Sequence, residues 1–148
     1  MTAATLRTIG YEGCRIDQVL DCLVEAGVGV LIDVRALPLS RKPGFSKRQL
    51  AAGLDERGIA YVHLRALGTP KPGRDAARAG RTGEMQRIFR AHMTGEQPQL
   101  QLAEAAAIAV RRRCCLLCFE ADHRRCHRDI VGGMICAATG QEVEHLLA

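Results

Sequence analysis

Tryptophan is absent from this chain, and only five of its 148 residues are Phe or Tyr. A single-stranded RNA platform stacks successive bases on aromatic rings, and this sequence has little from which to build one. No long apolar run occurs either. The longest strongly apolar stretch, Ala105 to Val110, is far too short to cross a bilayer. Residues 1–7, MTAATLR, carry no apolar core of a targeting signal, so a cytoplasmic protein with no membrane partner is expected. No phosphate-binding P-loop and no G-x-G-x-x-G fingerprint is present, nor paired C-x-x-C or H-E-x-x-H metal spacing. Lysine is scarce, at Lys42, Lys47 and Lys71 alone, so the net charge of +5 is carried by arginine. Its planar fork suits phosphate and carboxylate.

The apolar share is 47% and the charged share 25%, which is the balance of a folded domain. The length fits one domain, residues 1–148. Seven cysteines are present, an odd number, and a disulfide framework is not expected in a cytosolic chain of this size. Buried thiols, a metal site or one reactive thiol remain open readings.

Hydrophobic patterning predicts alternating strands and helices. Leu6 to Tyr11 reads as a first strand. Ile16, Val19, Leu20, Leu23 and Val24 form a helical stripe that ends at Gly27. Val28 to Val34 is a continuous apolar run, as in a strand covered on both faces. Residues 35–45 form a loop broken by proline and glycine. Ser46 and Gln49 then read as a capping box, with Phe45 and Leu50 as a hydrophobic staple. Ile59 to Leu64 is a third strand, and residues 65–81 a second long loop. Two helices follow, one opened by Thr82 and one with Pro98 in its first turn. Cys114 to Glu120 is a fourth strand. Asp122 caps a final helix from about His123 to Ala138, and the last strand runs over 142–147. The expected fold is three-layer α/β, with a mostly parallel sheet of about five strands, Rossmann-like without the dinucleotide fingerprint. The Asp33 and Cys118 strands are expected to be central neighbours.

Ligands of open α/β sheets bind beyond the carboxyl ends of the strands, and polar residues gather there in this sequence. Tyr11 ends the first strand. Asp33 and Arg35 share one face of the second. They form either an anion grip or a structural ion pair tying loop to sheet. The loop beyond carries Ser40, Arg41, Ser46 and Lys47, next to a helix start that can receive phosphate. Cys118 and Glu120 share one face of the fourth strand, and Cys126, His127 and Arg128 open the final helix. Cys126 there reads as a thiol stabilised by the helix N-terminus, or as a small core residue. His127 reads as a proton carrier or a loop anchor, and Glu120 as a general acid or base, or a partner of Arg128. Neighbouring residues on a helix diverge, so Cys126 and His127 are not expected to touch. The arginines of the second long loop suggest a basic lip. Arg111, Arg112 and Arg113 precede the fourth strand and belong to the opposite edge.

Four stretches together resemble the domain of unknown function 488 family. They are TIGYEG at 8–13, DVRALPLSRKPGFSK at 33–47, HLRALG at 63–68 and LLCFEADHRRCHR at 116–128. The last is the most specific, a strand ending in C-x-E followed by C-H-R. The resemblance implies the α/β fold and a site built from Arg35, Ser40, Cys118, Glu120, Cys126, His127 and Arg128. Tyr11 stands where relatives often carry histidine. The family brings no established reaction, and the sequence names no cofactor. The leading expectation is an enzyme or sensor acting on a nucleotide, a nucleic acid or another phosphate-bearing ligand. Arg35, Lys47 and Arg128 would bind the anion, Glu120 and His127 handle protons, Asp33 orient or act as base, and Cys126 attack or line the site. The alternatives are a noncatalytic nucleic-acid-binding module and a Cys/His metal or redox protein.

Overall fold

The computed structural model describes residues 5–148. Residues 1–4 of the stretch read for a targeting signal lie outside it. Five strands form one wholly parallel sheet: β1 (Thr5–Gly10), β2 (Val30–Asp33), β3 (Ala60–His63), β4 (Cys114–Cys118) and β5 (Glu142–Leu146). Their spatial order is β3-β2-β4-β1-β5. The Asp33 and Cys118 strands are indeed neighbours, with Asp33 in register with Leu117.

Helices α1 (Ile16–Glu25) and α2 (Lys47–Asp55) cover one face of the sheet. Val19, Leu20, Leu23, Leu50 and Leu54 meet Ile9, Leu31, Cys115 and Leu117 there. On the other face lie α3 (Lys71–Arg78), α4 (Thr82–His92), α5 (Glu96–Arg111) and α6 (Arg128–Thr139). Their Ala76, Met85, Phe89, Ala105, Ala109, Val131 and Ile135 pack on Leu6, Val30, Ile32, Cys114 and Leu116. Alternate strand residues thus feed two cores, and the neighbours Cys114 and Cys115 fall into different ones. Val24, at 51% exposed, lies outside the α1 stripe assigned to it. No helix among the described residues is long and apolar enough to cross a membrane.

Three local expectations are corrected. First, the span 65–81 is not one irregular loop. It holds a 3-10 turn (Arg65–Leu67) and then α3. Pro72 sits in the first turn of α3, where no amide hydrogen is needed, so it opens the helix rather than breaking it. Second, the capping box at Ser46 is not formed. The Ser46 hydroxyl accepts from the Ser40 amide and donates to the Ser40 carbonyl, while Gln49 Oε1 accepts from the Gly44 amide. The serine folds the preceding loop back on itself instead of capping the helix. Phe45 and Leu50, the staple pair, are both fully buried in the same core.

Third, no helix starts at His123. Asp122 accepts the Arg124 amide and so caps a 3-10 turn (His123–Arg125), after which the chain extends through Cys126. Helix α6 begins only at Arg128, with His127 at its N-cap. Cys126 and His127 therefore occupy a bend between two helical pieces, where neighbouring side chains need not diverge.

Candidate functional site

The outgoing connections of β2 and β4 leave to opposite faces of the sheet, since α2 and α6 lie on opposite sides. This parting of neighbouring strand ends opens a crevice. A cavity of about 810 Å³ fills it, a size typical of small-molecule sites. Its wall includes Tyr11 after β1, Arg35 and Ser40 after β2, Cys118 and Glu120 of the β4 end, and His127.

Arg35 is the best-held cation of this wall. Asp33 is fully buried, and Arg35 is only 6% exposed. Asp33 Oδ1 accepts from the Arg35 amide at 3.0 Å and from Nε at 2.9 Å; Oδ2 accepts from Nη2 at 2.7 Å. The Tyr61 hydroxyl donates to the same Oδ2 at 2.7 Å, and Arg35 Nη1 donates to the Tyr11 hydroxyl at 3.1 Å. Burial works against the Arg35 charge, but the Asp33 bonds and charge outweigh it and hold the guanidinium above its ordinary pKa. Burial, and then the Asp33 carboxylate, push the Tyr61 phenol upward, which keeps it a neutral donor. The ion pair is formed, and Asp33 is consumed in aiming Arg35. Below Arg35, His63 Nε2 donates to its carbonyl at 2.8 Å.

Tyr11 is clamped at its ring. It stacks on Phe45 with centroids 4.3 Å apart and meets Phe119 edge-on at 5.4 Å. Phe119, 44% exposed, is an apolar shelf of the cavity together with Leu37, Leu39 and Met85.

On the β4 side, Glu120 is partly buried, and burial raises its carboxyl pKa. Its Oε2 lies 3.5 Å from Cys118 Sγ. The structure joins Cys118 to Cys126 as a disulfide, against the expectation of free thiols. The other five cysteines are free. His127 Nε2 lies 2.7 Å from the Val34 carbonyl. A carbonyl can only accept, so Nε2 carries the proton and Nδ1 is bare in the neutral ring. That bare nitrogen faces Cys126 Sγ at 3.7 Å, so the two residues do touch. Burial lowers the His127 pKa to about 4, so the ring is neutral near pH 7.

The remaining expected residues sit elsewhere. Arg128 is fully buried and faces the protein rather than the cavity, bonding Thr8 Oγ1, Cys118 Sγ and the carbonyls of Glu120 and Ala121. It holds the β4 loop and does not pair with the Glu120 carboxylate. Arg41 and Lys47 are exposed, and neither lines the cavity; the Lys47 amide is taken by the Pro38 carbonyl. Lys42 instead ties the loops, donating to the carbonyls of Tyr11 and Cys14. Of the basic lip, Arg74 and Arg78 line the cavity, while Lys71 and Arg81 pair with Asp75 and Glu84. Arg125 lines it too and was not foreseen. Its charge run HRR offers no hint of which member turns inward. Tyr61 was also missed, although strand alternation puts it on the face of Asp33's pairing partner His63.

Among the described residues, two groups bring three side chains of metal-ligating type within 4.8 Å of one another: Cys118 with Glu120 and Cys126, and His123 with Asp129 and His145. In the second group the rings lie face to face, centroids 3.5 Å apart and 3° from parallel. An imidazole binds an ion in its own plane, and parallel planes share no such point. The group is better described as hydrogen-bonded: His123 Nδ1 reaches Asp129 at 2.8 Å, and His145 Nδ1 reaches the Thr8 hydroxyl at 2.6 Å.

No curated protein and no solved structure matches this chain at a significant level. The family described as Domain of unknown function DUF488 matches residues 15–135, a span holding Arg35, Cys118, Glu120, Cys126 and His127, and the chain belongs to that family.

Proposed function

We propose that the cavity takes a small phosphate-bearing ligand of the nucleotide or sugar-phosphate class, as an enzyme or sensor acting on it. The observation that carries this reading is the state of Arg35. A guanidinium has five N–H donors. Nε, Nη2 and Nη1 each spend one, on Asp33 and Tyr11. One N–H on each of Nη1 and Nη2 is left for a ligand, on a side chain that cannot swing away. This is the pre-organised fork that phosphate recognition uses. Arg74, Arg78 and Arg125 add positive charge around it, against the carboxylates of Glu12 and Glu120. The apolar shelf of Phe119, Leu37 and Leu39 gives a ring or sugar somewhere to lie. Glu120, its pKa raised by burial, is the group best suited to hand over a proton.

A thermal-shift panel of nucleotides, sugar phosphates, inorganic phosphate, and short DNA and RNA tests this, with wild type beside Arg35→Lys. A native-state ligand raises Tm by mass action. A shift from one small phosphate compound, lost in the lysine variant, supports the reading. A shift with nucleic acid alone, equal in both proteins and abolished by salt, replaces it with a noncatalytic nucleic-acid-binding module.

A further inference from the structure

Among the described residues Arg128 is buried with no carboxylate bonded to it, although the Glu120 carboxylate acts on it through space. Its contacts are one hydroxyl, one sulfur and two carbonyls, and no carboxylate is among them. A cation sealed from water in this way gains from any anion that can form beside it. The sulfur is Cys118 Sγ, 3.1 Å from Nη1. Cys126 Sγ has its own donor: the backbone amide of Arg128, in the first turn of α6, at 3.4 Å. His127 Nδ1, unprotonated, stands 3.7 Å from it. Each sulfur thus has a separate donor placed to stabilise negative charge on it, which on Cys118 works against the Glu120 carboxylate 3.5 Å away.

We infer that Cys118 and Cys126 form a reversible dithiol–disulfide couple in the cavity wall, with Cys118 the sulfur that exchanges with small-molecule thiols and Cys126 its resolving partner. The roles follow from access. Cys118 lines the cavity and Cys126 does not. Cys126 was the thiol singled out by sequence, because it was expected on a helix; the bend before α6 turns it behind Cys118. Cys14 lies outside the cavity wall, and the other four cysteines are poor competitors. Burial raises the pKa of Cys114 to about 12 and that of Cys115 well above the ordinary range, and burial also raises those of Cys22 and Cys136.

The exchange balances with a low-molecular-weight thiol as co-reactant. Its thiolate attacks Cys118 Sγ, the Cys118–Cys126 bond breaks, and the electron pair leaves on Cys126 Sγ beside the Arg128 amide. A second thiolate attacks the external sulfur of the mixed disulfide. Cys118 then leaves as a thiolate facing the Arg128 guanidinium, and the two small thiols depart as one disulfide. The protein disulfide gains two electrons, the two small thiols lose them, and their protons pass to the protein thiols or to water.

The inference uses the same cavity as the proposed function but does not depend on it, since its readouts need no phosphate ligand. The intact chain is equilibrated in glutathione buffers of graded redox ratio, quenched with a thiol alkylator and mapped by mass spectrometry. Cys118 and Cys126 are expected to gain and lose label together, joined in one peptide pair when oxidised. In fully reduced protein at pH 7, Cys118 is expected to alkylate about tenfold faster than Cys22 or Cys136. Cys126→Ala, checked for folding by its melting curve, is expected to trap glutathione on Cys118. If that variant does not fold, the wild-type labelling decides alone. Independent labelling of the two cysteines would overturn the inference. So would Cys118 reacting no faster than Cys22, or stoichiometric zinc that shields both sulfurs.

Discussion

Replacing Asp33 by Asn tests whether the ion pair with Arg35 organises the site. The variant keeps shape and volume but removes the charge opposite a guanidinium that is 6% exposed. It also turns an acceptor into an amide. Oδ2 receives both Arg35 Nη2 and the Tyr61 hydroxyl, so an NH₂ placed there faces two donors. Removing one partner of a buried pair costs ~3–5 kcal/mol, because the other charge is left uncompensated. In a domain of this size each kcal/mol moves Tm by roughly 2–4 °C, so a fall on the order of 10 °C is expected. Urea unfolding at pH 7 gives the free energy directly. Tyr11→Phe, which removes only the 3.1 Å contact to Nη1, should cost no more than about 1.5 kcal/mol. In the double variant Asp33→Asn/Arg35→Met the losses should not add, because the two residues share one interaction. A loss below about 1 kcal/mol in Asp33→Asn would refute the reasoning, since a buried guanidinium cannot shed the carboxylate that holds it that cheaply.

His127 supplies a pH signature. Its folded pKa, about 4, lies below the ordinary value of 6.5, so the unfolded chain binds more protons in between. The stability contribution is full above pH 6.5 and is lost as pH falls toward 4, by roughly 3 kcal/mol across the window. His127→Gln should flatten that part of the stability–pH curve. Glu120 acts in the opposite sense. Its raised folded pKa gives a contribution present below the unfolded value near 4.5 and lost as pH rises through the folded one, so Glu120→Gln should gain stability relative to wild type on going to neutral pH. Gly10→Ala would place a Cβ 1.8 Å from the Glu120 carbonyl oxygen, and backbone cannot yield as a side chain does. A loss of about 3 kcal/mol or more is expected in chemical denaturation, with a displaced β4 loop that also weakens ligand binding. Ser46→Ala should cost about 1–2 kcal/mol by freeing both Ser40 backbone groups, and should show as faster amide exchange in residues 38–46.

The fold was legible because its signals repeat. The apolar run before Asp33 and the run Cys114 to Leu117 each carry enough consecutive burial to mark a central parallel strand, and helical stripes lie between. The strand ends then pointed to the cavity, because in such a sheet polar residues after an apolar run have one place to go. What could not be read depended on single local choices. Pro72 breaks a helix in its middle and opens one in its first turn, and composition does not distinguish the two. Asp122 was recognised as a cap, yet nothing in HRR reveals that the capped piece would stop after one turn. That stop decides where Cys126 and His127 point. Arg128 was misjudged for a related reason. Charge next to a site suggests a ligand contact, whereas its four protein acceptors become visible only when β1, β4 and α6 are assembled around it.

Those acceptors have a consequence for how the cavity can breathe. The guanidinium of Arg128 binds β1 through Thr8 and the segment after β4 through the carbonyls of Glu120 and Ala121. The wall bearing Cys118 and Glu120 cannot swing outward unless a buried charge gives up several bonds at once. Among the described residues the facing wall has no buried charge in that part: α3 contributes Gly73 and Ala76 to the interior and carries Arg74 and Arg78 toward the opening, with Arg74 bonding the Thr69 carbonyl just ahead of its own helix. A ligand too large for the resting entrance would therefore be admitted by the α3 side, with the β4 side serving as the fixed jaw against which it closes.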